Sequence, residues 1–345
     1  MLIAALAAPA GPAGARPGDG ENFWASLVAP NAEAIDLVLA QARALRLAAM
    51  SQYGISYDPS YAYDEMQREE RQRRLEDAYG MLRYARRELD PEQPEVLYEL
   101  GRNADDIGRY DEALEVLETF VGLTEKKDRR VAEANIRIGR IRARYGEWDE
   151  AIASFKRSLA SRSSVNHGVA LLYLGSAHMH NGQLAEAIDV LSQAAELQPG
   201  TQYYLQQVAQ FTLAVAYDRD EQISRSHEML EKLLAVDPSL TYVLGYPSYN
   251  YGSPDSLDAD PLFVPPHERQ YFVALKYEAS GFLELAREEW LAYTRAADAG
   301  PARDRARAHI SDIDEMLDER LKATDNERAV PAARHKKSKR KPKSP

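Results

Sequence analysis

The sequence predicts an all-α protein built from tandem antiparallel helix pairs. A short glycine-containing motif recurs along the chain, and its marker glycines Gly101, Gly139 and Gly175 lie 38 and 36 residues apart. Self-similarity at a period of about 20–50 residues is typical of proteins that stack one structural unit on the next. The stretches on both sides of these repeats place apolar residues three or four positions apart, as one face of a helix requires.

Three copies of the repeat carry all of its marks. In each, a turn glycine follows the marker glycine by seven residues, and a Glu-Ala pair begins four residues after the turn glycine. Two weaker copies have Ala214 and Ala274 in place of the marker glycine. In the first of these, Glu221 replaces the turn glycine and Ser226 replaces the alanine. The five copies span residues 97–120, 138–159, 171–199, 213–238 and 273–293.

The recurring residues suit two helices that pack closely. A marker glycine on the first helix has no side chain to hold the second helix away. A turn glycine ends the first helix, because glycine adopts the left-handed backbone conformation without a steric penalty. The small Ala113, Ala151 and Ala187 are expected where the two helices cross. Pro199 and Pro238 are expected to end second helices, since proline cannot continue a helix.

This pattern resembles the tetratricopeptide repeat over about residues 95–295. The three complete copies in tandem make the resemblance specific. It implies a right-handed α-solenoid of antiparallel helix pairs. It also implies a concave face, lined by the first helix of each pair, that binds a peptide or a helix of another protein.

The flanking sequence divides the rest of the chain into segments. Residues 1–30 form a lead that is either the later part of a signal peptide or a disordered Ala/Pro/Gly-rich stretch. Helical spacing at 32–50 and 64–89 predicts a degenerate first pair, and spacing at 302–323 predicts a capping helix. The predicted segments are the lead 1–30, the first pair 31–94, the repeats 95–238, an insertion 239–266, the last repeat with its cap 267–324, and a disordered basic tail 325–345.

The insertion is rich in tyrosine and proline and includes Tyr242, Tyr246, Tyr249 and Tyr251. Tyrosine offers a large contact area with a polar end, which suits an interface. The alternative is that the insertion folds against its own repeats and covers apolar surface there. Long loops in compact arrays are usually functional or disordered.

Charge is distributed unevenly along the chain. Residues 334–345 hold seven Lys or Arg residues and no acid, while the whole chain carries 43 basic and 54 acidic residues. The acidic body predicts no specific nucleic-acid binding, because phosphate contact requires clustered Lys and Arg. The tail is either a solvated extension or a contact for phosphate, anionic lipid or an acidic protein. No apolar stretch is long enough to predict a transmembrane span.

The sequence predicts no enzyme, no metal site and no cofactor. The chain has no cysteine, and its seven histidines are not spaced as metal ligands. His178 and His180 are two residues apart on a predicted helix and so point to different faces. No second histidine follows His227-Glu228 at the spacing of a metalloprotease, and no phosphate-binding glycine loop is present.

The resemblance also suggests which side chains line the concave face. Arg102 and Arg140 fall at equivalent places in adjacent copies, where they either hold a partner carboxylate or pair with nearby acids such as Asp105 and Asp106. The later part of the face is more apolar and suits an amphipathic helix. The predicted partner-binding residues are Tyr98, Arg102, Ile136, Arg140, Leu172, Met179, Phe211, Val215, Tyr271 and Leu275.

The function expected from the sequence is that of a non-enzymatic scaffold that binds another protein in the concave groove. Replacing Tyr98, Phe211 and Tyr271 with alanine is expected to abolish partner capture without unfolding the protein. The alternatives are self-association in a cell-envelope assembly through the tyrosine-rich insertion, and anchoring to an anionic surface by the tail. The lead favours a periplasmic or secreted location, and the alternative is the cytoplasm.

Overall fold

The structure is a computed structural model that describes residues 20–51, 61–160, 166–197, 203–238, 240 and 263–337. All of the secondary structure in these residues is helical. None of the described helices is long and apolar enough to span a membrane. The chain divides into two compact units, residues 1–125 and 126–345.

The described residues of the first unit form four α-helices in two pairs. The helices are α1 (Gly20–Ser51), α2 (Tyr61–Tyr84), α3 (Pro94–Asp106) and α4 (Tyr110–Leu123), and a π-helical turn over Ala85–Leu89 follows α2. The predicted apolar stripe of α2 is confirmed, since Leu75, Ala78 and Leu82 have no exposed surface. α1 begins at Gly20, eleven residues before the predicted first pair.

The described residues of the second unit form four helix pairs and a long final helix. The pairs are α5 (Arg129–Arg144) with α6 (Trp148–Leu159), α7 (His167–His180) with α8 (Leu184–Ala195), α9 (Tyr203–Arg219) with α10 (Ile223–Val236), and α11 (Glu268–Ala279) with α12 (Leu283–Ala296). The final helix α13 (Pro301–Lys337) extends fourteen residues beyond the predicted cap. One apolar core runs through the unit and includes Phe155, Tyr173, Phe211, Phe272 and Trp290.

The marker glycines lie where the paired helices touch, as predicted. A Cβ atom added to Gly139 would come within 2.5 Å of the Phe155 ring, and one added to Gly175 within 2.5 Å of Leu191. Real Cβ atoms essentially never approach another heavy atom this closely. Any side chain here would therefore force the two helices apart.

The weakest repeat keeps the shape of the others at a conformational cost. Gly182 ends α7 with a φ of 74°, and Glu221 has a φ of 58° at the matching place after α9. A non-glycine residue in this left-handed region is destabilised by about 1–2 kcal/mol. Ser226, which replaces the alanine, is 1% exposed, and its hydroxyl donates to the Ala214 carbonyl at 2.9 Å.

The Glu221 backbone yields a stability prediction. Because glycine relieves the left-handed strain, Glu221→Gly should raise the free energy of unfolding by about 1 kcal/mol. The matched change Gly182→Ala should lower it by a similar amount. Urea denaturation followed by circular dichroism checks both values. A Glu221→Gly variant that is less stable than the wild type would show that the glutamate side chain stabilises the fold by more than its backbone strain costs.

Candidate functional site

The structure buries nine of the ten side chains predicted to line the concave face. Their exposed fractions are 5% or less, and only Arg140 is partly accessible. The expectation that these positions face solvent is therefore wrong for nine of them, while their contact with a partner stays a prediction. The buried residues are Tyr98, Arg102, Ile136, Leu172, Met179, Phe211, Val215, Tyr271 and Leu275.

In the first unit, charged residues of α3 are held by arginines within the same unit. Arg102 lies 3.5 Å from Glu99, and Arg43 of α1 donates to the same carboxylate at 2.7 Å. Arg46, also from α1, donates to Asp106 at 3.0 Å. Arg102 thus pairs with a neighbouring acid, one of the two roles predicted for it.

In the second unit, the apolar members of the predicted set belong to the core. Phe211 packs against Phe272 with ring centroids 6.1 Å apart, and Phe263 meets Phe272 edge-on at 5.1 Å. Leu172, Val215 and the remaining apolar members lie in the same cluster. Consecutive helix pairs bury these side chains against one another, so the apolar pattern marks packing between repeats.

A second polar feature of this unit is a largely buried group of charged side chains, here called the Asp218 cluster. It comprises the three acids Asp218, Glu268 and Glu278, the three bases Arg219, Arg305 and His309, and the aromatic residues Tyr271, Trp290 and Tyr293. These residues come from α9, α11, α12 and α13. The cluster therefore connects the last two helix pairs to the final helix.

Asp218 is at the centre of this cluster and is 2% exposed. Its carboxylate accepts from the Tyr271 hydroxyl at 2.6 Å and from Arg305 Nη2 at 2.7 Å. His309 Nε2 lies 2.9 Å from Asp218 Oδ2. Three helices thus converge on one buried carboxylate.

The other two acids complete the cluster. Glu268 accepts hydrogen bonds from Arg219 and from the Tyr293 hydroxyl. Glu278 accepts from Trp290 Nε1 at 2.8 Å, and His309 Nδ1 lies 3.0 Å from its carboxylate. Charged groups that leave water need such partners, because an unpaired buried charge is strongly destabilising.

The cluster shifts the pKa values of its members in opposite directions. Burial opposes ionisation of Asp218, but hydrogen bonds from His309, Arg305 and Tyr271 and the charge of His309 lower its pKa to about 2. Burial likewise opposes protonation of His309, but its hydrogen bonds to Asp218 and Glu278 raise its pKa to about 9. At neutral pH His309 is therefore a cation, and both of its ring nitrogens donate.

The raised pKa of His309 predicts how stability changes with pH. A folded-state pKa of about 9, against an ordinary value of 6.5, means that protonated His309 stabilises the fold fully below pH 6.5. That contribution, up to about 3 kcal/mol, is lost as the pH rises through 9. Urea midpoints measured between these pH values should fall steadily for the wild type and fall less for His309→Gln. Equal slopes for the two proteins would contradict this role for His309.

One helix of the second unit presents arginines to solvent. Arg140 is partly accessible, and Arg144, one helical turn further along α5, is exposed. The guanidinium of Arg140 lies 5.7 Å from the centre of the Tyr173 ring. Residues four apart lie on the same side of a helix. Arg140 and Arg144 therefore lie on one accessible side of α5.

Some of these residues could have been predicted from the sequence, and others could not. Arg144 could have been found, because it follows Arg140 at helical spacing. The Asp218 cluster could not, because Asp218 and His309 are 91 residues apart and Arg219 and Glu268 are 49 apart. Among the residues that the structure describes, no group of three or more His, Asp or Glu side chains is arranged to hold a metal ion.

Comparisons with known proteins agree with the helix-pair architecture. The tetratricopeptide repeat family matches residues 63–128, 98–166 and 136–200. No curated protein matches the chain significantly.

Several solved structures are similar to parts of this chain. MamA from Desulfovibrio magneticus RS-1 is 21% identical, with a TM-score of 0.42 over 53% of this chain and 97% of that one. The TPR-like repeats of a putative kinesin light chain from Podosopora anserina are 21% identical, with a TM-score of 0.44 over 57% of this chain and 95% of that one. YrrB, described as a TPR protein with an unusual peptide-binding site, is 21% identical, with a TM-score of 0.42 over 50% of this chain and 82% of that one. Residues 63–200 of this chain therefore match tetratricopeptide repeats, in three overlapping stretches.

Proposed function

We propose that this protein is a non-enzymatic scaffold that binds a peptide or helix of another protein through the first helices of its repeats. Tetratricopeptide repeats are a protein–protein interaction module, and this fold is typically not catalytic. The observation that carries the proposal is the pair of accessible arginines, Arg140 and Arg144, on the first helix of a complete repeat.

The chemistry of this pair suggests the kind of partner. A guanidinium group binds a carboxylate through two parallel hydrogen bonds, which gives both strength and orientation. The chain as a whole is acidic, with a formal net charge of −11. An acidic partner segment would therefore be attracted to α5 and repelled by most of the remaining surface. We propose that the bound segment carries Asp or Glu side chains, or a free carboxyl terminus, against these arginines.

Partner capture tests this proposal. The double variant Arg140→Glu with Arg144→Glu should retain less than about a tenth of the partner held by the wild type, since each reversal replaces attraction with repulsion. The matched control carries Lys156→Glu and Arg295→Glu, two exposed residues on the second helices α6 and α12. Capture that is equal for all three proteins would refute the proposed site.

The location is also a proposal. The apolar run Met1–Ala10 and the small residues Ala13 and Ala15 support export to the periplasm or the medium. Sequencing the amino terminus of the native protein should find a start close to Arg16. An intact Met1 would favour the cytoplasm instead.

Two alternative functions depend on residues that lie largely outside the part of the chain that the structure describes. Self-association through the tyrosine-rich insertion depends on 241–262, and anchoring by the tail depends mostly on 338–345. Both remain alternatives to partner binding.

A further inference from the structure

Two acids of the Asp218 cluster occupy the same place in successive repeats. Asp218 follows Ala214 by four positions, and Ala214 replaces the marker glycine of its repeat. Glu278 follows Ala274, the matching residue of the last repeat, by the same distance. The same place in the third repeat holds Met179, one of the residues predicted to contact a partner. The last two repeats therefore carry a carboxylate at a position that the repeat pattern assigns to partner binding.

The spacing along each helix supports this assignment. Asp218 lies seven residues after Phe211 on α9, and Glu278 lies seven residues after Tyr271 on α11. Residues seven apart lie on the same side of a helix. Phe211 and Tyr271 are also among the predicted partner-binding residues, so each acid extends that side of its helix toward the carboxyl end.

The first turns of α13 supply the bases that hold both acids. His309 lies between them, with Nε2 2.9 Å from Asp218 Oδ2 and Nδ1 3.0 Å from Glu278 Oε1. Arg305, one helical turn earlier, donates to Asp218 through Nε at 3.1 Å and Nη2 at 2.7 Å. One helix thus carries two basic side chains, four residues apart, that bind two successive repeats.

We propose that Asp218 and Glu278 form a binding site for a basic helix of another protein, and that α13 fills this site when the partner is absent. The partner helix and α13 compete for the same two carboxylates, so α13 acts as an autoinhibitory contact. This inference concerns α9, α11 and α13. It does not depend on the proposed binding of an acidic segment at α5.

The contact that α13 makes is one that a helix of another protein can reproduce. It pairs two carboxylates of the repeats with a guanidinium and an imidazole of α13, and charged groups that separate can each be hydrated by water. Residues 297–300, which are not helical, join α12 to α13. α13 can therefore turn away from the site at this connection while α12 stays in place.

The site also restricts which helix fits. The His309 ring stacks on the Trp290 indole, with centroids 4.4 Å apart and planes 10° apart. A flat basic group suits this place, so we expect His or Arg there and not Lys. Acidic side chains on the incoming helix would be repelled by both carboxylates. The partner expected at this site is therefore a helix with an Arg or Lys and, four residues later, a His or Arg on the same side.

Hydrogen exchange on the full-length wild type provides the first test, because it needs no substitution. The probe is a synthetic peptide with the sequence of residues 301–317, held helical by a staple between positions 307 and 311, whose native side chains are exposed. Amides at 305–313 should exchange at least tenfold faster than those of α12, and excess peptide should speed their exchange further. Equal exchange in the two helices that the peptide does not change would overturn the proposal.

Substitution of the two bases of α13 provides the second test. The variant Arg305→Ala with His309→Ala frees the two carboxylates, so it should bind the fluorescently labelled peptide at least tenfold more tightly than the wild type. Circular dichroism checks that the variant is folded. A peptide that carries Arg305→Glu and His309→Glu should bind neither protein. A folded variant with no more affinity for the peptide than the wild type would overturn the proposal.

Matched substitutions in this variant locate the site. Adding Asp218→Asn and Glu278→Gln should weaken peptide binding at least tenfold, because both changes keep the side-chain size and remove the charge. Adding Glu186→Gln and Asp189→Asn, which neutralise two exposed acids on α8, should leave it intact. Binding that survives the changes at Asp218 and Glu278, or is lost with the changes on α8, would overturn the proposal.

A cross-link provides the opposite control. The chain has no cysteine, and Arg287 of α12 pairs with Asp314 of α13 at 2.5 Å. Arg287→Cys with Asp314→Cys, joined by a short bis-maleimide, holds α13 on α12. The peptide should then no longer speed exchange at 305–313. Acceleration that persists in the cross-linked protein would show that the peptide binds elsewhere and would overturn the proposal.

Discussion

Replacing Asp218 with alanine should destabilise the second unit by about 3–5 kcal/mol, the cost of breaking a buried ionic group by removing one partner. The Asp218 carboxylate accepts hydrogen bonds from Arg305, His309 and Tyr271, and it is 2% exposed. Without it, two cations and a hydroxyl remain in the interior with no compensating negative charge at that place.

Urea denaturation and amide hydrogen exchange measure this effect. Exchange should speed up most in α9 and α13, the helices that Asp218 connects. The control Asp189→Ala removes an exposed carboxylate on α8 and should change stability by less than about 0.5 kcal/mol. An Asp218→Ala protein that is as stable as the wild type would mean that the Asp218 cluster does not stabilise the second unit.

Replacing Tyr271 with alanine should also cost about 3–5 kcal/mol, the usual loss for truncating a buried aromatic side chain. Its ring is fully buried and meets Trp290 and Tyr293 edge-on, with centroids 4.6 Å and 5.1 Å away. The guanidinium of Arg219 lies 4.3 Å from the centre of the same ring. The loss combines a cavity with the loss of the hydrogen bond to Asp218 and of the contact with the Arg219 guanidinium.

The burial of Tyr98, Phe211 and Tyr271 argues against the expectation that alanine at these positions removes binding without unfolding the protein. All three side chains are 5% exposed or less, so the truncation weakens packing first. Tyr271→Phe separates the two effects, because it keeps the ring and removes only the hydrogen bond to Asp218. It should cost about 1–2 kcal/mol. Tyr271→Ala with wild-type thermal stability would contradict the packing role.

The repeat architecture was predictable because its signals are local. The marker glycine, turn glycine and alanine lie within twelve residues of each other, so one pattern predicts two helices and their contact. The structure confirms this at Gly139 and Gly175. The left-handed Glu221 also agrees with its predicted place at a turn.

The interior of the last repeats was not predictable, because its contacts join residues that are far apart in the sequence. Position within a repeat suggested that Phe211 and Tyr271 line an open face, but it cannot show what later helices cover. The Asp218 cluster depends on α13 approaching α9, a contact made by residues 87 to 91 apart. Helical spacing also predicted α13 only to residue 323, because the sequence beyond it has few apolar residues.

A photo-reactive amino acid placed at residue 140 tests the central claim, partner binding at the accessible face of α5, most directly. Introduced into the full chain in its native cells, it should form a covalent adduct with one other protein, and the cross-linked peptide should be rich in Asp or Glu. The same amino acid at Asp189, an exposed position on the second helix α8, should form none. Adducts at residue 189 but not at residue 140 would contradict the account.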